Sequence, residues 1–182
     1  RPVAIDEIVG QSHLLGPGRP LRLAIERDQL RSAIFYGPPG CGKSTLASVI
    51  ARTTKAAFAN FSAVTGGVAD VRKLIDAAKE LRRIRNKRTL LFVDEIHRFN
   101  RAQQDAFLPH VEDGTIVLIG ATTENPYFAV NAPLLSRARV FAFTAITSDD
   151  IADVITRALT DSERGLGERG LSISADALTY LS

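Results

Sequence analysis

The stretch Ser32 to Leu46, SAIFYGPPGCGKSTL, limits what this chain can fold into more than any other. Ala33 to Tyr36 is an apolar run that reads as a short buried strand. It breaks into GPPGCGKS, Gly37 to Ser44, which matches the phosphate-binding pattern G-x-x-x-x-G-K-[ST]. Thr45, Leu46, Ala47, Val49, Ile50 and Ala51 then continue as a helix. Gly37, Gly40 and Gly42 let the backbone turn tightly and bring its N–H groups near phosphate oxygens. The helix that begins near Gly42 adds its positive end at the same spot. Lys43 brings a point charge to the outer phosphates, and the Ser44 hydroxyl is a ligand suited to Mg²⁺. A glycine-rich turn could match the pattern by chance. A strand before it and a helix after it make nucleotide binding the better reading.

Composition sets wide bounds. A chain of 182 residues holds one domain with room for the start of a second. Its 45% hydrophobic and 24% charged residues are ordinary for a soluble globular protein. No apolar run approaches the ~20 residues of a membrane span, and no segment has the character of a signal peptide. The chain opens on Arg1 and contains no Met, so it reads as a fragment. The single cysteine, Cys41, excludes an internal disulfide and a cysteine-based zinc site. It sits at a variable loop position, where a small packed residue is a better reading than a redox switch. One thiol suits a reducing cytoplasm. The net charge of +3 permits nucleic-acid binding without requiring it.

Strands alternate with helices along the chain. Arg1 to Gly18 is rich in Pro and Gly and reads as irregular; Pro20 opens a helix to about Gln29. After the loop and its helix, Ala57 to Ser62 reads as a strand, and Gly66–Gly67 breaks it. Val68 to Arg85 is a long amphipathic helix with Val71, Leu74, Ile75, Ala78 and Leu81 on one face. Thr89 to Val93 is a buried strand, and Arg101 to Glu112 is helical with a kink or split at Pro109. Thr115 to Ala121 and Val140 to Phe143 are the fourth and fifth strands. The alternation implies an α/β fold with a parallel sheet covered on both faces. Thr147 to Asp150 carries a helix cap and acids, and a second helix starts at Ser174. A boundary near Thr144–Thr147 therefore separates a core, residues 1–145, from a truncated helical segment, 146–182.

LLFVDE, Leu90 to Glu95, delivers Asp94 to the carboxyl end of a buried strand, where ligands of open α/β sheets bind. Asp94 can hold Mg²⁺ directly or through water, and Glu95 can polarise an attacking water. Two solvated acids ending a strand are common; after a phosphate loop they are specific. Thr122 and Thr123 end the fourth strand and could touch the terminal phosphate or the water, or simply cap a turn. Arg137, at the end of a short helical turn, could serve a neighbouring subunit's phosphate. The basic stretch Lys79 to Arg88 reads better as a solvated face than as a DNA contact. His97 and His110 show no metal-ligand spacing; His97 reads as a structural histidine, or else as part of a DNA-facing or subunit-facing surface.

In this order, RP…IVGQ, GPPGCGKST, LLFVDE, IGATTENP (Ile119 to Pro126) and LLSRARVF (Leu134 to Phe141) resemble the AAA+ ATPases, and within them the clamp-loader branch. The last string is similar to the Ser-Arg-Cys segment of clamp-loader subunits, with Ala138 in place of the cysteine. More narrowly, GQSHLLG, FSAVTGGVADVR, DEIHRFNRAQQDAFLPHVEDG and IGATTENPYFAVNAPLLSR resemble the replication-associated recombination protein A family, whose eukaryotic relative is the Werner-helicase-interacting protein. The resemblance covers nearly the whole chain.

The resemblance implies a five-stranded sheet in the order 5-1-4-3-2 followed by a helical lid. It implies ATP and Mg²⁺ as cofactors. Val9, Gly10 and Gln11 would lie near the adenine. Gly37, Pro38, Pro39, Gly40, Cys41, Gly42, Lys43, Ser44 and Thr45 would hold the phosphates, with Ser44 and Asp94 on the metal. Glu95 would be the base, Thr123 (or Thr122) sensor 1, Arg137 the trans-acting finger, and Ser62 the polar switch that holds Glu95 inactive. The sensor 2 arginine and the assembly domain would lie beyond Ser182, so the fragment is expected to be monomeric and the full protein a homo-oligomer. Implied partners are DNA, single-stranded, gapped or at duplex ends, and single-strand-binding protein, in the bacterial cytoplasm. A clamp-loader or Holliday-junction motor subunit shares the generic motifs. A small-molecule kinase is disfavoured by the Asp94–Glu95 pair and the Ser136–Arg137 turn.

Overall fold

The computed structural model describes residues 1–64 and 66–182; Thr65, inside the FSAVTGG string, lies outside them. Five strands, β1 (Ala33–Tyr36), β2 (Ala57–Ser62), β3 (Thr89–Asp94), β4 (Ile116–Thr122) and β5 (Arg139–Ala142), form one sheet in the order β2-β3-β4-β1-β5. Every neighbouring pair is parallel. Read from the other edge, this is the expected 5-1-4-3-2 order. The third and first strands, which carry the two acidic and phosphate-loop motifs, are separated by β4.

The strands alternate apolar side chains between two apolar faces, as a sheet covered on both sides requires. Ala33, Phe35, Leu90, Phe92, Ile119 and Ala121 join one core cluster. Ile34, Leu91, Val93 and Leu118 join the other. The helices follow the chain: α1 (Ser12–Leu15), α2 (Pro20–Glu26), α3 (Lys43–Thr53), α4 (Val68–Arg85), α5 (Arg101–Asp105), α6 (Leu108–Glu112), α7 (Pro126–Ala129), α8 (Ala132–Leu135), α9 (Ser148–Thr160) and α10 (Ala175–Leu181). Helices α2 and α3 cover the first face through Leu21, Ile25, Leu46 and Ile50. Helix α4 covers the second through Val71, Ile75 and Ala78, with Leu74 packed beside them.

Several boundaries differ from those read in the sequence. Arg1 to Gly18 is not irregular throughout: it holds a 3-10 turn at Ile5–Glu7 and the single-turn helix α1, each too short to leave a periodic pattern. Helix α2 stops at Glu26, and Asp28 turns with φ 52°. Strands β4 and β5 are shifted by one residue from the expected spans. The expected helix from Arg101 to Glu112 is split into α5 and α6 at Ala106–Phe107, with Pro109 in the first turn of α6, where its missing N–H costs nothing. Thr147 caps α9 as expected: its hydroxyl accepts the Asp150 N–H at 3.2 Å, and the Asp150 carboxylate accepts the Thr147 N–H at 2.9 Å. The N–H and hydroxyl of Thr147 hold the Asp150 carboxyl below its ordinary range.

Candidate functional site

Parallel strands bring their carboxyl ends to one edge of the sheet, and the loop after β1 sits there. Lys43 opens α3 but folds back into the loop, where its ammonium donates to the carbonyls of Gly37 and Pro38, each at 2.8 Å. It is nearly buried, whereas Ser44 on the next position is exposed. Gly40 and Gly42 have positive φ, a conformation that favours glycine, and a Cβ at either would meet nothing within 4 Å. Cys41 is buried in the core, which fits the packing reading. Pro38, Pro39 and Thr45 lie along the same loop and first helical turn.

Gln11 fastens this loop. Its buried amide donates to Cys41 O at 3.2 Å and to Thr144 O at 2.8 Å, and its carbonyl accepts the Thr144 N–H at 3.2 Å. All three bonds are to backbone, so Gln11 sets the position of the loop against the segment that leads to α9. Val9 and Gly10 precede it at intermediate exposure, and Gly10 packs against Ile146 and the Asp150 carboxylate.

The acidic pair lies across the same edge. Asp94 ends β3 opposite Ser62 of β2 and accepts the Glu95 N–H at 3.2 Å. Glu95 takes a left-handed backbone, φ 55° and ψ 44°, unusual for a residue with a Cβ. The turn Ile96–Arg98 follows, anchored by fully buried Ile96. Gly120 in β4 makes room for it: a Cβ there would stand 2.9 Å from Ile96 Cδ1. The turn returns His97 to the site. Its Nδ1 lies 3.3 Å from Glu95 Oε2 and 3.1 Å from Thr122 Oγ1, and its Nε2 lies 3.7 Å from Glu124 Oε1.

The geometry bears on three sequence readings. His97 is neither a simple core histidine nor a surface one; it closes on Glu95 and the tip of β4. The two threonines are unequal: Thr122 is fully buried and bonded to Glu124 and His97, while Thr123 is exposed one residue beyond β4. The Ser62 hydroxyl accepts the Val64 N–H at 3.3 Å, and among the described residues Glu95 has His97, not Ser62, as its side-chain partner.

Arg137 is not brought to this edge. Arg139 pairs with Ala33 at the amino end of β1, whereas the phosphate loop follows Tyr36 at the other end. Arg137 lies before Arg139, half-exposed, ion-paired with Glu112 and bonded to Pro133 O at 2.8 Å.

The donors fit a small hard cation. The Ser44 hydroxyl in the first turn of α3 and the Asp94 carboxylate at the end of β3 are both oxygen donors at the carboxyl ends of the strands. Among the described residues no group of three or more His, Cys, Asp or Glu forms a protein-only metal cage. Mg²⁺ that keeps waters and bridges phosphates asks for such a pair.

The fold, the phosphate cradle and the acidic strand end define a class. Residues 33–146 match the family described as "ATPase family associated with various cellular activities (AAA)", and the chain belongs to that family of ATP-hydrolysing enzymes. Within it, the chain is similar to replication-associated recombination protein A of Haemophilus influenzae, 50% identical over the whole chain and 41% of the relative. It is 54% identical to the Escherichia coli K12 protein of the same name, over 92% of this chain and 37% of that one. The Thermotoga maritima RuvB Holliday junction branch migration motor superposes on 98% of this chain and 58% of its own, with TM-score 0.74 and 27% identity. The chain thus spans about two fifths of the length of the curated relatives it matches. No helix among the described residues is long and apolar enough to cross a membrane.

Proposed function

We propose that this chain is the nucleotide-hydrolysing part of a DNA-dependent ATPase that acts in replication-fork maintenance and recombination. The observation that carries the reading is the meeting of Lys43, Asp94 and Glu95 at one edge of the sheet, with the tip of β4 between them. The loop N–H groups and Lys43 bind the β- and γ-phosphates, and Val9 to Gln11 border the base. Ser44 and Asp94 would hold Mg²⁺, which would supply positive charge to the phosphate oxygens. Glu95 takes the proton of the attacking water as that oxygen bonds to the γ-phosphorus and the bond to the ADP oxygen breaks. Thr123, exposed beside Thr122, is the group free to meet the terminal phosphate, and Ser62 stands at the neighbouring strand end as a polar switch.

Arg137 acts on a second copy of the chain. Its place at the amino edge, remote from its own loop, supports a finger supplied across a subunit interface and therefore a homo-oligomer. Residues 1–145 form the ATPase core and 146–182 the start of a lid. The link to DNA, in single-stranded, gapped or duplex-end form, rests on the likeness to proteins named for replication-associated recombination, as do single-strand-binding protein as partner and a place in the bacterial cytoplasm. A second reading, a branch-migration-type motor subunit, draws support from the fold likeness to RuvB. Phosphate release by the protein, titrated with gapped, single-stranded, duplex-end and four-way-junction DNA, separates the two. Stimulation by gapped or single-stranded DNA is expected; stimulation by four-way junctions alone favours the motor, and none by any DNA contradicts both.

A further inference from the structure

His97 is a partly buried titratable group at the carboxyl edge to which neither phosphate binding nor the proton transfer gives a task. Its side chain is 11% exposed. Two acceptor oxygens stand near its Nδ1. Thr122 Oγ1 lies 3.0 Å from the Glu124 N–H, which can only donate, and 3.3 Å from Glu124 O, which can only accept. The hydroxyl has one hydrogen, and when Glu124 O takes it a lone pair is left for a further donor. The remaining lone pair then accepts from His97 Nδ1 at 3.1 Å. The ionised carboxylate of Glu95, 3.3 Å from the same nitrogen, is also only an acceptor. An Nδ1–H finds an acceptor in both neighbours.

We propose that His97 is a positioning residue for Glu95, tying the base to the tip of β4 through Nδ1–H. The proposal rests on Glu95 as the base. Glu95 leaves β3 in a left-handed turn, and among the described residues its carboxylate has no side-chain partner except His97. Without that contact the carboxylate is free among rotamers at an open strand end. A general base must sit within about 2.6–3.2 Å of the proton it removes. His97 restricts Glu95 to the arc facing β4, the strand between the phosphate-loop strand and the acidic strand. The same imidazole reads the state of that tip, because Thr122 and Glu124 fix its ring. A shift of the β4 tip therefore moves the base, which couples occupancy of the terminal-phosphate position to the readiness of Glu95.

The test compares ATP turnover with affinity for a fluorescent ATP analogue in the purified protein. His97→Ala is expected to lower kcat by about 10- to 100-fold, the scale of a misplaced reacting group, with analogue affinity within twofold of wild type. His97→Asn, whose amide N–H can stand where Nδ1–H stood, is expected to recover most of the loss. Thr122→Val is expected to lower kcat as well, and the His97→Ala/Thr122→Val double variant to lose no more than His97→Ala alone. A His97→Ala enzyme within twofold of wild type, equal losses in the Ala and Asn variants, or additive losses in the double variant would overturn the proposal. If His97→Ala melts early, Thr122→Val, which keeps the shape of the side chain, decides it: unchanged kcat overturns the link. Glu95→Gln separates the two layers. An active Glu95→Gln enzyme removes the base on which the proposal stands, whereas an inactive one beside a fully active His97→Ala overturns only the role of His97.

Discussion

The two edges of the same sheet carry opposite chemistry. At the carboxyl edge, polar groups are buried or half-buried and hold protein partners: Lys43 on two loop carbonyls, Asp94 on the Glu95 N–H, His97 between Glu95 and Thr122. At the amino edge, four of the five strands are led in by exposed cations: Arg31 before β1, Lys55 before β2, Lys87 and Arg88 before β3, and Arg139 opening β5. Of these, Arg88 pairs with Asp28, and the others have no carboxylate within ion-pair distance among the described residues. Strand polarity makes the difference. Loops that leave parallel strands converge at the crevice where ligands bind, while loops that enter them lie at the opposite end of the sheet. The carboxyl edge is organised by contacts among buried and half-buried polar groups, and the amino edge by exposed cations, some of them ion-paired, as Arg88 is with Asp28 and Arg137 with Glu112.

That contrast can be broken by substitutions on each side. The largest expected effect is at Arg137, which lies toward the amino edge yet is assigned to a neighbour's carboxyl edge. In the assembled protein Arg137→Ala should spare ATP affinity and cut hydrolysis by about 10³–10⁵-fold. Mixing it with a Glu95→Gln subunit should restore part of the activity; no rescue would confine Arg137 to its own chain. Next is Lys43→Ala. Truncating one partner of a buried charged contact costs ~2–5 kcal/mol, so nucleotide affinity should fall by about 30- to 4,000-fold, and affinity within twofold of wild type would refute the role of Lys43. Gln11→Ala leaves three backbone groups without their partner, at about 1–3 kcal/mol for buried groups left unpaired. A melting temperature lowered by several degrees is expected; an unchanged one would mean the loop is held elsewhere. Smallest is the double variant Arg31→Ala/Arg139→Ala, where solvated charges should change stability by less than about 0.5 kcal/mol. A large loss in a denaturant melt would show that the amino edge is organised after all.

Most of the frame was legible in the sequence, for physical reasons that differ by element. The spans of β1, β2 and α4 match residue for residue, because each is bounded by glycine or charge and carries a clean period. Strand β5 was displaced toward Phe143, which is buried like a strand residue but follows the last ladder pair. The phosphate loop and Asp94–Glu95 were legible because their chemistry is local. His97 was not. Its meaning depends on Thr122, 25 residues away, and on Gly120 admitting Ile96, neither of which leaves a periodic or spacing signal. The role of Ser62 comes from resemblance alone and that of Arg137 from a helical turn as well as resemblance, and only their positions, at a strand end and near the opposite edge, can be compared with it.

The central claim is that the carboxyl edge hydrolyses ATP with Glu95 as the base. Glu95→Gln tests it most directly, with nucleotide binding and phosphate release measured on the same preparation. The amide keeps the shape and loses the ability to accept a proton. ATP bound as tightly as in wild type with turnover abolished is the result expected. Wild-type phosphate release from the Gln variant would place the base elsewhere and contradict the account.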